Sequence, residues 1–390
     1  MERIRPAELS RLRGRHWLST LTVALVAAVG LVACTSSNAA TSSDSGKRLS
    51  VVAYSVAKPA YDALQKGFAS TTGGSGVTWR SSYGASGDQS RAVQHGQPAD
   101  YVAFSLEPDL TRLVPKFVAS NWNSGPTKGL VSESVVVIAV RKGNPKKITG
   151  WDDLTKSGVK IVTPDPGSSG SAKWNILAAY THVLARGGTD AEAEAYLKKF
   201  YANVVSKPDS GSKATQTFLN GTGDVLISYE NEAIAARQKG QALDYIVPEE
   251  SILIENPAAV TVTAPQAAKD FLTYVESADG QKVLASKGFR PVLAGTPIPT
   301  VAGANDPAKP FPTVAQLVTV ADLGGWNAIN KKYFDESTGL VPRIEADAQC
   351  PWRPPSSAAV PASGAEPAGR TVECRCAPRR AWVSAQPCCG

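Results

Sequence analysis

The segment TPDPGSSGSAKWNILAAY, residues 163–180, decides how the whole chain is interpreted. It follows a short apolar run that ends at Val162, and it passes through a Pro/Gly/Ser turn into a stretch with helical spacing. The first turn of a helix leaves about four backbone N–H groups without internal partners, and small residues let a ligand approach them closely. Such a turn, at the positive end of a helix, suits an oxyanion. Taken alone, it also fits an ordinary serine-capped helix.

Short β-rich runs alternate with helical stretches from Leu49 onward. This alternation predicts an α/β protein with mostly parallel sheets and helices on both faces. A folded part of about 300 residues exceeds the usual size of one hydrophobic core, so two lobes are expected. The predicted strands are 49–54, 77–82, 100–105, 134–141, 160–163, 203–206, 224–229, 244–247 and 259–263. The predicted helices are 58–69, 87–96, 171–186, 190–200, 213–220, 231–238 and 265–286.

Three other turns share the plan of the opening segment, in which a strand is followed by small residues and then a helix. They lie at 83–91, at 209–215 and, more weakly, at 54–57. In an open α/β sheet such turns fall at the carboxyl ends of strands, where ligands bind. We therefore expect the four turns to converge on one small anion.

Both ends of the chain differ in character from the middle. Residues 1–34 combine five arginines with an apolar run, 21–33, which is shorter than the roughly 20 residues of a membrane-spanning helix. This pattern predicts a signal peptide. Its end, Leu-Val-Ala-Cys, resembles a bacterial lipobox, in which the chain is cut before Cys34 and the thiol of Cys34 is acylated. An uncleaved signal anchor is the alternative. Residues 35–47 are expected to be a flexible tether. The Pro/Ala/Arg/Cys-rich tail, 349–390, is expected to be disordered, with a zinc site as the alternative.

Composition excludes several classes of function. No cysteine lies between Cys34 and Cys350, so neither disulfides nor a thiolate metal site serves the folded part. The net charge of +7 is misleading, because residues 1–34 and 350–390 each carry five arginines against two acidic residues, which leaves +1 for the rest. Nucleic-acid binding is therefore not indicated.

Five segments together resemble the sulfate-binding proteins of bacterial ABC importers. The resemblance covers roughly residues 48–345, and it implies a two-lobed periplasmic-binding-protein fold of type II. Lobe 1 would combine 48–133 with 252–348, and lobe 2 would be 134–251, with SVVVIAVRKG and SILIENPAAV as the two crossovers. The segments are GASGDQSRAV, NPKKITGWDDL, TPDPGSSGSAKWN, DSGSKATQTF and GDVLISYENEA.

The resemblance also implies a set of neutral donors to a dehydrated sulfate. The hydroxyls would come from Ser86 and Ser169. The backbone N–H groups would come from Ala57, Gly170, Ser171 and Ser212. Tyr229 stands where the family has a tryptophan, and its phenol can donate but also accept. Asp165, Asp209 and Glu230 are expected to brace the turns from outside the pocket, and Lys173 to lie near the ligand without touching it.

The function expected from these residues is binding, without catalysis, metal or cofactor. The chain would be an exported, lipid-anchored, monomeric subunit that delivers sulfate to an ABC permease and its ATPase. Thiosulfate, molybdate, tungstate or phosphate are the alternative ligands. A serine hydrolase or acyl enzyme is the alternative of a different class, because Ser210 and Lys213 satisfy the motif S-x-x-K. The partner motifs of S-x-x-K are absent from the sequence, and no G-x-S-x-G elbow occurs. His182 is expected to pack inside an apolar helix.

Overall fold

The computed structural model describes residues 48–349. Cys34, the predicted signal peptide and tether, and the predicted tail beyond Gln349 lie outside the described residues. The strands are β1 (Arg48–Tyr54), β2 (Thr78–Gly84), β3 (Tyr101–Ala103), β4 (Leu130–Arg141), β5 (Ile161–Val162), β6 (Val204–Ser206), β7 (Val225–Tyr229), β8 (Leu243–Ile246), β9 (Glu250–Val260) and β10 (Gln316–Val318). The helices are α1 (Lys58–Phe68), α2 (Ser86–Gln94), α3 (Glu107–Thr111), α4 (Gly170–Ala185), α5 (Asp190–Ala202), α6 (Gly211–Leu219), α7 (Glu230–Gln238), α8 (Gln266–Glu276), α9 (Ala278–Ser286), α10 (Gly325–Ile329) and α11 (Leu340–Gln349).

Two long strands, β4 and β9, hold the sheet together. The strand order is β2-β1-β3-β9-β4-β7-β5-β6, with β10 beside β9 and β8 beside β4. The first half of β4 pairs with β9, and its residues 136–140 pair with β7. Residues 258–260 of β9 pair with β3. The two long strands therefore connect the β1–β3 group to the group formed by β5–β8.

The long strands pair antiparallel with each other and with β3, β7 and β8. The shorter strands pair in parallel: β1 lies between β2 and β3, and β5 lies between β6 and β7. The run from Val135 to Val140 in β4 is buried throughout. A continuous apolar run is typical of a strand covered on both faces. The parallel strands place their carboxyl ends, and the helices that follow them, at one region of the molecule.

The sequence interpretation was wrong at several boundaries, among them the start of β4, which lies at Leu130 and not at 134. The two largest errors concern β9 and the helix predicted at 265–286. The strand predicted at 259–263 is β9, which begins at Glu250 and ends at Val260. The single helix predicted at 265–286 is two helices, α8 and α9. Ser277 interrupts it with extended backbone, and its hydroxyl accepts a hydrogen bond from the N–H of Gly280. A serine that satisfies a free N–H in this way starts a new helix.

Within residues 48–349, no helix has both the length and the apolar character needed to cross a bilayer.

Candidate functional site

Four helix starts meet at one small cavity of ≈ 10 Å³. They are the short 3-10 turn that precedes α1 and the first residues of α2, α4 and α6. The lining contains hydroxyls, backbone and apolar atoms, and no side chain in it carries a charge. The lining residues are Tyr54, Ser55, Val56, Gly84, Ala85, Ser86, Ser105, Ser169, Gly170, Ser171, Ser210 and Gly211. The cavity thus gathers the positive ends of several helices around neutral donors.

The start of α4 supplies one wall. Ser169 is the N-cap residue, but its side chain makes no capping hydrogen bond. Ser171 is 4% exposed, and its Oγ has no hydrogen-bond partner among the residues that the structure describes. A buried polar atom is normally paired. The two hydroxyls are therefore free to bind a ligand in the cavity.

Gly170 lets the start of α4 approach the strand-end residues opposite. A Cβ at Gly170 would lie 2.8 Å from Ser105 Oγ and 2.8 Å from Leu106 Cγ, closer than real side-chain contacts allow. Gly211 plays the same part for α6, where a Cβ would lie 2.7 Å from a methyl group of Val56. The helix starts can converge because these positions carry no side chain.

Ser86, at the start of α2, lines the cavity but is already hydrogen bonded. Its hydroxyl donates to Asp109 Oδ2 over 2.7 Å, and it accepts from the N–H of Ser105 over 3.0 Å. Donation from Ser86 to an anion therefore stays a prediction, and it requires the hydroxyl to turn away from Asp109.

Tyr229 lies behind the wall. It is fully buried at the end of β7, and its hydroxyl lies 2.6 Å from Ser105 Oγ. Burial raises the pKa of the phenol, and the hydrogen bond with Ser105 only partly opposes that rise. The phenol therefore keeps its proton, and it contacts the lining residue Ser105.

The structure brings four of the predicted site residues into the lining, Ser86, Ser169, Gly170 and Ser171. The other three are each next to it: Ala57 follows Val56, Ser212 follows Gly211, and Tyr229 contacts Ser105. Sequence reasoning missed Ser105. Its position at the carboxyl end of a predicted strand, 100–105, was the signal that was available.

Sequence comparison places the chain among known proteins. Residues 49–290 match the family model described as "Bacterial extracellular solute-binding protein". This chain belongs to that family. It is 35% identical over 335 residues to the sulfate-binding protein of Synechococcus elongatus, across 83% of this chain and 94% of the relative. It is 32% identical over 277 residues to the thiosulfate-binding protein of Pseudomonas aeruginosa, across 67% of this chain and 80% of that relative.

A solved structure supports the same family. The sulfate-binding protein SubI from Mycobacterium tuberculosis superposes with a TM-score of 0.69 at 42% identity, covering 74% of this chain and all of SubI. The architecture of this solute-binding protein is accordingly the two-lobed type II fold, a mixed α/β arrangement flanked by helices.

Charged side chains of this solute-binding protein have partners of their own and do not line the cavity. Asp165 accepts a hydrogen bond from the N–H of Gly167 over 2.8 Å, and Asp209 pairs with Lys213. Glu230 forms a two-point ion pair with Arg290, at 2.8 and 3.2 Å. Lys173 lies over the ring of Phe334 and is likewise absent from the lining.

The small cavity adjoins a larger cleft of ≈ 730 Å³. The two share Ser55, Val56, Gly84, Ala85 and Ser210 as lining residues. Ser212 and the buried carboxyl of Glu232 face this cleft, and Glu232 accepts a hydrogen bond from the hydroxyl of Ser228 over 2.8 Å.

The residues considered for catalysis have other partners. Ser210 caps α6 by accepting from the N–H of Lys213. His182 is buried between the rings of Trp151 and Tyr196, as predicted. Within residues 48–349, no group of three or more histidine, cysteine or acidic side chains is placed to hold a metal ion.

Proposed function

We propose that this chain is the extracytoplasmic sulfate-binding subunit of an ABC importer. The observation that carries the proposal is the convergence of four helix starts and several serine hydroxyls on one small cavity without a charged side chain. Each hydrogen bond to a charged acceptor contributes roughly 1.5–3 kcal/mol. Several such bonds, with the helix ends behind them, offset much of the cost of removing a dianion from water.

The relatives support this choice of ligand, since both the Synechococcus protein and SubI are named for sulfate. A cavity of donors also suits sulfate, which carries no proton at neutral pH. Thiosulfate is the second candidate, because a relative of 32% identity is named for it.

The lobes of this proposal have the boundaries expected from the sequence, 48–133 with 252–348 and 134–251. β4 and β9 then contain the two crossovers, because each exchanges partners along its length. Hydrogen bonds join the proposed lobes, among them the one from the N–H of Gly87 to the carbonyl of Ser168 over 3.0 Å. Capture is then closure of two lobes around the anion by a hinge motion.

Export and attachment complete the proposal. The chain would be anchored outside the cell membrane by acylation of Cys34, act as a monomer, and hand its ligand to the permease with its ATPase. It would not act as an enzyme, which is supported by the engagement of Ser210 in a helix cap and of Lys213 in an ion pair with Asp209.

Titration calorimetry with sulfate, thiosulfate, molybdate, tungstate and phosphate tests the proposal. We expect sulfate to bind most tightly. A protein that binds none of the five anions is not an oxyanion receptor, and one that prefers another of them shifts the assignment to that anion. Turnover of an acyl or phosphoryl ester would favour the enzyme alternative.

A further inference from the structure

Ser105 lines the cavity from a position two residues after β3, and hydrogen bonds hold its backbone on both sides. Its N–H donates to Ser86 Oγ over 3.0 Å. Its carbonyl accepts from Trp174 Nε1 over 2.8 Å and from Asn256 Nδ2 over 3.3 Å. The residue is 1% exposed. Because its backbone is fixed, the main freedom left to the Ser105 side chain is rotation about its Cα–Cβ bond.

The hydroxyl of Ser105 lies where the start of α4 approaches most closely. A Cβ at Gly170 would lie 2.8 Å from Ser105 Oγ, so the hydroxyl is beside the first turn of that helix. The first N–H groups of a helix have no partner inside it. In the same turn, the buried Oγ of Ser171 has no hydrogen-bond partner among residues 48–349, although a buried polar atom is normally paired. Ser105 therefore shares the cavity with groups that have hydrogen-bonding capacity left for a ligand.

The hydrogen bond between Ser105 and Tyr229 has a preferred direction. Their two oxygens are 2.6 Å apart, and either can be the donor. Burial raises the pKa of the phenol, so the phenol carries a proton that needs an acceptor. In the described part of the chain, Ser105 Oγ is the acceptor that the phenol reaches. When Tyr229 donates, Ser105 accepts with a lone pair and keeps its own proton for another acceptor.

We propose that Ser105 is a further ligand-binding residue and that Tyr229 is the residue that positions it. Tyr229 donates to Ser105 Oγ, and Ser105 donates to an oxygen of the bound anion. A hydroxyl that accepts one hydrogen bond becomes a stronger donor of the next. The phenol thus contributes to binding without touching the anion. This inference rests on the proposed binding of an oxyanion in the cavity.

Titration calorimetry of Ser105→Ala with sulfate is the first test. Loss of one hydrogen bond to a charged acceptor should weaken binding by about tenfold or more. The substitution also removes the acceptor of the Tyr229 phenol, so urea unfolding is measured beside it to establish that the variant is folded during the titration. Wild-type affinity in the folded variant overturns the proposal, because Ser105 would then serve only as a structural partner of Tyr229.

Ser251→Ala is the matched control. Ser251 is also 1% exposed, and its hydroxyl donates to the carbonyl of Val136 over 2.8 Å. It lines neither the cavity nor the adjoining cleft. The variant should lose stability and keep the wild-type affinity for sulfate. A loss of affinity equal to that of Ser105→Ala would mean that removal of any buried serine hydroxyl loosens the site, and it would overturn the proposal.

Tyr229→Phe is the second test, and it leaves the Ser105 hydroxyl in place. Affinity for sulfate should fall, but by less than in Ser105→Ala, because the serine can still donate and is only less well oriented. Unchanged affinity overturns the role of Tyr229 in positioning Ser105. In the Ser105→Ala background, Tyr229→Phe should cause no further loss, because the phenol acts only through Ser105. A further loss there would show that the phenol reaches the anion itself, which also overturns the proposal.

The failure of this inference is distinguishable from the failure of the proposed function. A wild-type protein that binds no oxyanion contradicts the proposed function itself. A wild-type protein that binds sulfate, with the same affinity as Ser105→Ala, contradicts this inference alone.

Discussion

The serines at helix starts have two different roles in this molecule: some cap their helix, and others leave the hydroxyl unbonded. Ser277 and Ser210 each accept a hydrogen bond from an N–H of their own helix, which is ordinary capping. Ser169 occupies the same N-cap position in α4 and makes no such bond. A sequence shows the residue type and its place before a helix, but the direction of the hydroxyl depends on the tertiary structure. The capped-helix alternative for the opening segment is therefore wrong for the Ser169 side chain.

Ser169→Ala should weaken sulfate binding and leave stability nearly unchanged. The lost hydroxyl removes one hydrogen bond to a charged acceptor, which costs about 1–3 kcal/mol of binding free energy. The free energy of unfolding should change little, because the side chain caps nothing. Calorimetry and urea unfolding measure the two effects.

Ser277→Ala is the matched control for that substitution. It removes a true cap, the bond from the N–H of Gly280 over 3.2 Å. Unfolding should become easier by roughly 0.5–2 kcal/mol, with sulfate affinity unaltered. If Ser169→Ala behaves in the same way as Ser277→Ala, Ser169 is a structural residue and no ligand donor.

Tyr229→Phe should affect stability more than affinity. The phenol bonds to the buried Ser105 Oγ over 2.6 Å, so its loss leaves that oxygen short of a partner, at a cost of about 1–3 kcal/mol in the free energy of unfolding. The hydroxyl lies behind the cavity wall, so the loss of sulfate affinity should be smaller than for Ser169→Ala. An equal or larger loss would show that the phenol reaches the anion directly.

Helix α4 shows what the pattern of a sequence can predict about an element. Its predicted bounds, 171–186, differ by one residue from Gly170–Ala185, because the Pro/Gly/Ser turn marks the start clearly. Longer elements that lack such a start signal were harder to place. β9 has 11 residues, and the predicted strand, 259–263, covers only the last two of them. Its first residues, from Glu250, pair with β4 and β10, which are distant in sequence, so no local pattern marks its start.

The candidate site was predictable where it follows from local chemistry and not where it depends on packing. Small residues before a helix indicate the lining residues Ser86, Ser169 and Gly170. Asp109 carries no such signal, because it lies on the short helix α3 and reaches Ser86 only through the tertiary fold. Register and tertiary approach, which local patterns do not encode, decide which hydroxyl is free.

His182 makes the packing of α4 sensitive to acid. Burial lowers the pKa of its imidazole to about 4, from an ordinary value of 6.5. The unfolded chain then binds a proton at a higher pH than the folded one. The stability that the neutral ring contributes is therefore fully present above pH 6.5 and is lost as the pH falls toward 4. The loss should be on the order of 1–3 kcal/mol.

Urea unfolding of the wild type and His182→Phe at pH 7.5, 5.5 and 4.5 measures this loss. The variant should lose less stability than the wild type between the first and last pH. His95→Phe is the control for replacing an imidazole by a phenyl ring, because His95 is exposed at the end of α2. Parallel profiles for the wild type and His182→Phe would contradict the assignment of acid sensitivity to this ring.

We expect the location of the protein in the cell to depend on residues outside 48–349. If Cys34 is acylated, Cys34→Ala should move the protein from the membrane fraction to the soluble fraction, because the acyl chains supply the attachment. Fractionation followed by immunoblotting measures this. Cys350→Ala controls for loss of a cysteine and should stay with the membrane. Continued tight membrane association of Cys34→Ala would favour an uncleaved signal anchor.

Closure of the two lobes can be followed at a single amide. The N–H of Gly87, in α2, donates to the carbonyl of Ser168 over 3.0 Å, and this bond joins the two proposed lobes. Two residues further along, the N–H of Gln89 donates to the carbonyl of Ala85 over 2.9 Å within one lobe.

Opening of the lobes breaks the bond from Gly87 and leaves the bond from Gln89 intact. Bound sulfate favours the closed form, so it should slow hydrogen exchange at Gly87 in proportion to occupancy while exchange at Gln89 stays constant. Exchange measured by NMR with and without sulfate distinguishes the cases, since equal protection of both amides would indicate general stabilisation without hinge closure.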